Sequence, residues 1–130
     1  MEINDLKIRA KEAADNAYAP FSKFKVGCAI ETKDGEVFMG CNIESKSLTF
    51  NICAERNAIS NAITGKGDIK INRVVIYTPT QKAAPPCGLC RQLIFEFGDE
   101  AMVHSFCDSD DSLQMTIGEL LPEAFDFDEQ

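Results

Sequence analysis

Leu6, Ala10, Ala13, Ala14 and Ala17 recur at helical spacing among charged neighbours, which predicts an amphipathic helix over residues 3–17 ending before Ala19-Pro20. The character of the chain then changes. Lys25 to Thr32 and Glu36 to Asn42 are β-rich runs joined through Lys33-Asp34-Gly35, a turn sequence typical of hairpins, so two antiparallel strands are expected. From Cys53 to Thr64 the pattern returns to helix, with Ala54, Ala58, Ile59, Ala62 and Ile63 on one face. Gly65 is the stop signal, and Asn51 or Thr49 is the expected cap. Ile69 to Tyr77 reads as a buried strand, Pro79 to Pro86 as a loop, Cys87 to Phe97 as a helix closed by Gly98, and Ala101 to Cys107 as a further strand. After the Asp108-Ser109-Asp110-Asp111 turn, a short strand around Gln114 and a short helix near Ile117 to Leu121 end the pattern. With no internal repeat or long linker, the order predicts one α/β domain spanning residues 1–130, built on a mixed sheet with helices on both faces.

Composition supports a packed core: 45% of the 130 residues are hydrophobic, and a chain of this length buries roughly two thirds of its unfolded surface. No run approaches the ~18 apolar residues of a membrane span, and the first twenty residues are charged and polar. A cytoplasmic protein without a membrane partner is therefore expected. The net charge of −8 is unevenly placed, because residues 1–91 carry all 13 Lys and Arg while residues 92–130 carry 11 acids and no Lys or Arg. Such a chain repels a nucleic-acid backbone, so a small neutral partner is favoured and the acidic end reads as solvated surface.

Six cysteines, at 28, 41, 53, 87, 90 and 107, would suffice for three disulfides, but a reducing compartment makes metal binding or catalysis the better reading. Cys53-Ala54-Glu55 is followed by Pro86-Cys87-Gly88-Leu89-Cys90, which gathers three thiols and a carboxylate at two predicted helix starts. Residues i and i+3 lie on one helix face, so Cys87 and Cys90 can both address one metal, and helix N-termini favour thiolates. With Cys53 as the third ligand, a tetrahedral zinc keeps one open position, the arrangement of a catalytic site. Glu55 beside it suits a general acid/base, provided the helix points end-on at the metal. A Cys-x-x-Cys pair alone fits a redox dithiol or a structural zinc site equally well. Cys28, Cys41 and Cys107 fall in predicted strands and read as core, as does His104, the single histidine.

Five ordered motifs extend the pattern: Ala17-Tyr18-Ala19-Pro20-Phe21-Ser22-Lys23-Phe24 with Val26-Gly27; Gly40-Cys41-Asn42-Ile43-Glu44; Cys53-Ala54-Glu55-Arg56; Pro86 to Gln92; and Glu119-Leu120-Leu121-Pro122 with Ala124-Phe125. Over nearly its whole length the chain resembles the small, homotetrameric, zinc-dependent cytidine deaminases. The resemblance implies a three-layer αβα sandwich with a mixed central sheet and one Zn²⁺ per chain held by Cys53, Cys87 and Cys90, with Glu55 as proton shuttle. It further implies that Ala54 offers backbone hydrogen bonding to the base, that Asn42 and Glu44 hold the ribose, that Phe24 packs near the base, and that Phe125 reaches a neighbouring subunit's site. Arg56 and Arg91 are expected to hydrogen-bond the metal sulfurs and offset their charge. The chain departs from the family at Ser45-Lys46-Ser47-Leu48 and at Ile52, where Asn-Ala-Ser-Tyr or a close variant and Asn are usual. The implied activity is hydrolytic deamination of cytidine and 2′-deoxycytidine in pyrimidine salvage. The rivals are a same-fold aminohydrolase acting on another amino-heterocycle such as blasticidin S, and a non-catalytic zinc-stabilised module.

Overall fold

The computed structural model describes residues 1–126. Helix α1 (Ile3–Asp15) precedes a hairpin of β1 (Gly27–Thr32) and β2 (Val37–Cys41), closed by Gly35 at φ 89°. Helix α2 (Ala54–Lys66) leads into β3 (Ile71–Tyr77), and α3 (Gly88–Phe97) connects β3 to β4 (Met102–Phe106). Strand β5 (Ser112–Thr116) and the short α4 (Ile117–Leu120) follow, the latter opened by a capping box between Thr116 and Glu119. The five strands lie in the order β2-β1-β3-β4-β5, with β3 and β4 parallel and all other neighbours antiparallel. A parallel pair needs a crossover, and α3 supplies it.

Alternation along the central strands sorts the core into two faces. Cys28 and Ile30 of β1 with Val74 and Ile76 of β3 pack against Ala58, Ile59 and Ala62 of α2, Ile94 of α3 and Ile117 of α4. Ala29, Val75 and Tyr77 point the other way, onto Leu6, Ala10 and Ala14 of α1. The result is the expected three-layer sandwich around a mixed sheet. At the far end of the hairpin strands, Glu31 pairs across the sheet with Arg73, whose Nε and Nη2 each lie 2.8 Å from a carboxylate oxygen.

Most element ends shift by one or two residues from the pattern-based expectation, α1 stopping at Asp15 instead of 17, and α2 differs at both its end and its cap. Helix α2 runs past Gly65 and stops at Gly67, which adopts φ 90° and donates its N–H to Ile63 O at 2.8 Å. The stop goes to the glycine that takes up the left-handed turn. The cap of α2 is Cys53 itself. Asn51 is spent on Ser45, whose N–H lies 2.6 Å from Asn51 Oδ1, and Thr49 Oγ1 lies 3.3 Å from Ser47 Oγ.

Gly40 decides how closely α2 can sit on β2. A Cβ there would stand 2.3 Å from Ala58 N and 2.5 Å from Ala54 O, both backbone atoms. Asn57 and Asn61 add to this seam by donating to Cys41 O at 3.1 Å and Met39 O at 2.7 Å. The same end of the sheet therefore carries the start of α2, the residues following β2, and the loop from β3 to α3. Among the described residues, no helix is long and apolar enough to cross a membrane.

Candidate active site

Cys53 and Cys87 occupy the N-cap positions of α2 and α3 in extended backbone, and neither caps its own helix by a side-chain hydrogen bond. Their sulfurs sit at two positive helix ends with their bonding capacity left for other partners. Cys90, buried in the first turn of α3, brings the third sulfur, and the three Sγ atoms lie within 4.8 Å of one another. Four-coordinate zinc at the usual Zn–S length holds sulfurs about 3.8 Å apart, so this triangle fits one ion and leaves a fourth position open.

The proton affinities of the thiols divide accordingly. Hydrogen bonds from Cys90 and Cys87, with Arg56's charge nearby, pull Cys53 down to about 6 against the opposing effect of burial. Cys90, the donor to Cys53, is pushed far above the ordinary thiol range by that bond, by burial and by Glu55. A triangle already holding one thiolate readily exchanges its remaining protons for a divalent cation.

Glu55 is 6% exposed. Burial pushes its carboxyl up to about 7, and the Cys53 charge adds to the rise, while its own backbone N–H and the Cys90 thiol pull it partly back. The roughly 200° separation of residues i and i+2 on an ideal helix does not govern Cys53 and Glu55, because Cys53 is in extended backbone outside the helix. Cys28 is fully buried on β1, and burial together with the Glu55 charge acting through space keeps its thiol protonated. It stands outside the metal triangle, as its strand position implied.

The two arginines bind carbonyls. Arg91 donates from Nε to Pro86 O at 2.7 Å and from Nη1 to Leu120 O at 2.9 Å, which ties the loop before Cys87 to α4. Arg56 Nη1 reaches Asn51 O at 3.5 Å, and its charge acts on Cys53 through space. Their effect on the sulfurs in this structure is thus positional and electrostatic.

Asn42 and Glu44 meet Phe24 in one hydrogen-bonded bracket. Asn42 Nδ2 donates to Phe24 O at 2.7 Å, and its Oδ1 accepts from Val26 N at 2.9 Å. Glu44 Oε1 accepts from Phe21 N at 3.0 Å and Ser22 N at 3.2 Å, and its Oε2 accepts from the Ser22 hydroxyl. Ser22 has no role of its own in the sequence reading. The one local signal for it is the step in which its Oγ accepts the N–H two residues on, at 3.0 Å. Phe125 is exposed, and Gln92 Nε2 donates to its carbonyl at 2.9 Å. His104 lies half-buried on β4, where burial and the charges of Arg73 and Lys7 lower its proton affinity.

A buried carboxyl beside a three-thiol cluster able to hold a metal, set on two helix starts over a mixed sheet, fits a zinc-dependent hydrolytic enzyme. The family model for the cytidine and deoxycytidylate deaminase zinc-binding region matches residues 2–106. A cytidine deaminase of Mycoplasma pneumoniae is 42% identical over 123 residues, spanning 90% of this chain and 89% of the relative. One from Sporosarcina psychrophila is 36% identical over 126 residues, spanning 96% and 92%. The crystal structure of cytidine deaminase from Burkholderia pseudomallei matches with a TM-score of 0.91 at 38% identity, covering 96% of this chain and 100% of that one. That of the Mycobacterium tuberculosis cytidine deaminase gives 0.84 at 31%, covering 98% and 99%. The chain belongs to the zinc-binding cytidine and deoxycytidylate deaminase family. Zinc is its cofactor, and Cys53, Cys87 and Cys90 form the cluster able to hold it.

Proposed function

We propose that the chain is a cytoplasmic enzyme of pyrimidine salvage that hydrolyses cytidine and 2′-deoxycytidine to the uridine forms and ammonia. The observation that carries this reading is the buried Glu55 carboxyl in contact with the Cys53, Cys87 and Cys90 triangle. When bound there, zinc supplies the Lewis acidity that makes water a nucleophile near neutral pH. Glu55 would take one proton of the water that adds at C4 and pass it to N3 of the pyrimidine, then carry the proton of the new C4 hydroxyl to the amine as the C4–N bond breaks and ammonia leaves. A carboxyl held near 7 keeps both protonation states accessible for that relay, and its burial keeps bulk water out of the transfer.

The backbone of Ala54, in the first turn of α2, offers hydrogen bonds to the base, and Phe24 packs beside it. Asn42 and Glu44 retain capacity for ribose hydroxyls despite their internal bonds. A carboxylate accepts about four hydrogen bonds, and Glu44 accepts three. Arg56 and Arg91 temper the negative charge of the sulfur cluster.

The working form is a homotetramer of this one domain, in which Phe125 reaches a neighbour's site. Support comes from the exposed apolar side chains around the site, Phe21, Leu48 and Phe50 before α2 and Leu89 at the start of α3, a concentration that a lone subunit would leave to water.

The reading is tested by ammonia release from the zinc-loaded protein with cytidine, deoxycytidine, cytosine and blasticidin S. Both nucleosides should turn over and free cytosine should be poor, because a site built to bond sugar hydroxyls leaves its own groups unpaired without them. Turnover of blasticidin S or cytosine with neither nucleoside accepted defeats the assignment.

A further inference from the structure

We propose that Ser22 is a positioning residue for substrate, locking the Glu44 carboxylate so that one free acceptor edge is presented to a sugar hydroxyl. The proposal rests on the reading of this site as a nucleoside site, and it adds a residue whose chemistry reaches substrate only through Glu44 and Phe24.

Ser22 serves three bonds at once. Its backbone N–H reaches Glu44 Oε1 at 3.2 Å, its hydroxyl donates to Glu44 Oε2, and the same Oγ accepts from Phe24 N at 3.0 Å. Phe21 N fills the second place on Oε1 at 3.0 Å. Oε1 is therefore saturated by two N–H donors, and the lone pair left over is on Oε2, beside the Ser22 hydroxyl. That edge can only accept, which suits a hydroxyl donor and repels an anionic group. Ser22 also fixes the partner across the base, because Phe24 is held by Ser22 Oγ on its N–H and by Asn42 Nδ2 on its carbonyl.

The loop is shaped to make this bridge. Lys23, between the two residues that the hydroxyl joins, has φ 61°, a left-handed conformation that a lysine adopts where its surroundings impose it. Its N–H is taken by Ala19 O at 3.0 Å, while Tyr18 N to Asn42 O at 3.0 Å and Glu44 N to Tyr18 O at 2.8 Å anchor the loop base to the segment after β2 that carries Glu44. These backbone bonds, together with those of Phe21 N, Ser22 N and Asn42, do not depend on the Ser22 hydroxyl. Removing it should loosen the carboxylate and the ring without unfolding the loop.

The experiment compares zinc-loaded wild type, Ser22→Ala and Ser22→Thr on cytidine and on 2′,3′-dideoxycytidine, which keeps the base and ring but lacks the hydroxyls that Glu44 would accept. A hydrogen bond to a charged partner sets the scale, so Ser22→Ala should raise KM for cytidine about tenfold with kcat within about twofold. Its loss of kcat/KM on dideoxycytidine should be at least about fivefold smaller, because the organised acceptor has nothing to receive there. Ser22→Thr, which keeps the hydroxyl, should recover most of the loss. Equal losses on both substrates, or a fall in kcat at unchanged KM, would overturn the positioning role and make Ser22 a general brace of the loop. A wild-type enzyme inert toward both nucleosides would overturn the nucleoside reading itself, and this proposal with it.

Discussion

A single methyl group at Gly40 should move the active site. The added Cβ would lie 2.3 Å from Ala58 N and 2.5 Å from Ala54 O, where ordinary contact begins near 3.4 Å. Both atoms belong to the α2 backbone, so no rotamer can absorb the overlap, and the helix must retreat from β2 by about 1 Å. Ala54 stands between Cys53 and Glu55, so the retreat carries a metal-cluster sulfur and the Glu55 carboxyl away from Cys87 and Cys90, which are anchored at the start of α3. Overpacking of this kind costs about 1–3 kcal/mol, or roughly 4–15 °C in Tm for a domain of this size. A displacement near 1 Å in a reacting constellation is worth about a hundredfold in rate. Thermal melts and steady-state deamination of zinc-loaded Gly40→Ala measure the two effects on one sample. Gly118→Ala is the control, because its nearest neighbour is Thr116 Oγ1 at 3.9 Å, and its Tm should hold or rise slightly. Native Tm and native kcat in Gly40→Ala would refute the close-approach argument. A lowered Tm with full activity would refute the link from that seam to the site.

Replacing Cys53, Cys87 or Cys90 by Ala should abolish stoichiometric zinc, while Cys28→Ala should keep the metal and lose stability; elemental analysis after dialysis and a melt distinguish them. Glu55→Gln should retain fold and zinc yet lose turnover by several powers of ten, and near-normal kcat would sink the proton-carrier role. Glu31 is held down at about 2, chiefly by hydrogen bonds from Arg73 and also from Asn72, against an ordinary value of 4.5. A lowered carboxyl stabilises the fold above its unfolded value and loses that contribution as pH falls through the folded one. The stability gap between wild type and Glu31→Gln, up to roughly 3 kcal/mol at pH 7, should therefore shrink on acidification from about 5 to about 2 in urea titrations. A gap independent of pH removes the pair from the stability of the sheet.

What the sequence made legible follows the range of each interaction. Helices and strands were readable because Leu6, Ala10 and Ala14, or Val74 and Ile76, report local periodicity directly. The metal triangle was readable because Cys87 and Cys90 bracket one helix start at short spacing and Cys53 recurs at a second helix start. The caps were not, since the rule that favours Asn51 or Thr49 assumes a side chain free to cap, and here the extended N-cap position serves to aim a sulfur. Ser22's bridge to Glu44 spans 22 residues of sequence and leaves no periodic trace. The seam at Gly40 is equally silent, because a glycine in a strand pattern signals close approach without naming the partner.

Charge favours a carboxylate in the proposed role of proton carrier. Three thiolates around a divalent ion leave one net negative charge, and an ionised Glu55 in contact would add a second in a buried place. Two helix N-termini and the charge of Arg56 offset part of this, but no lysine, arginine or histidine is among the residues that set the proton affinity of Glu55. In the metal-free cluster, burial and the Cys53 charge already raise Glu55 together, and a proton on it relieves both. An imidazole in the same position would be driven the opposite way by burial, as His104 is on β4. Burial thus draws an imidazole away from its charged form, whereas the same burial draws the Glu55 carboxyl up to about 7, where the proposed relay needs it both to take and to give a proton.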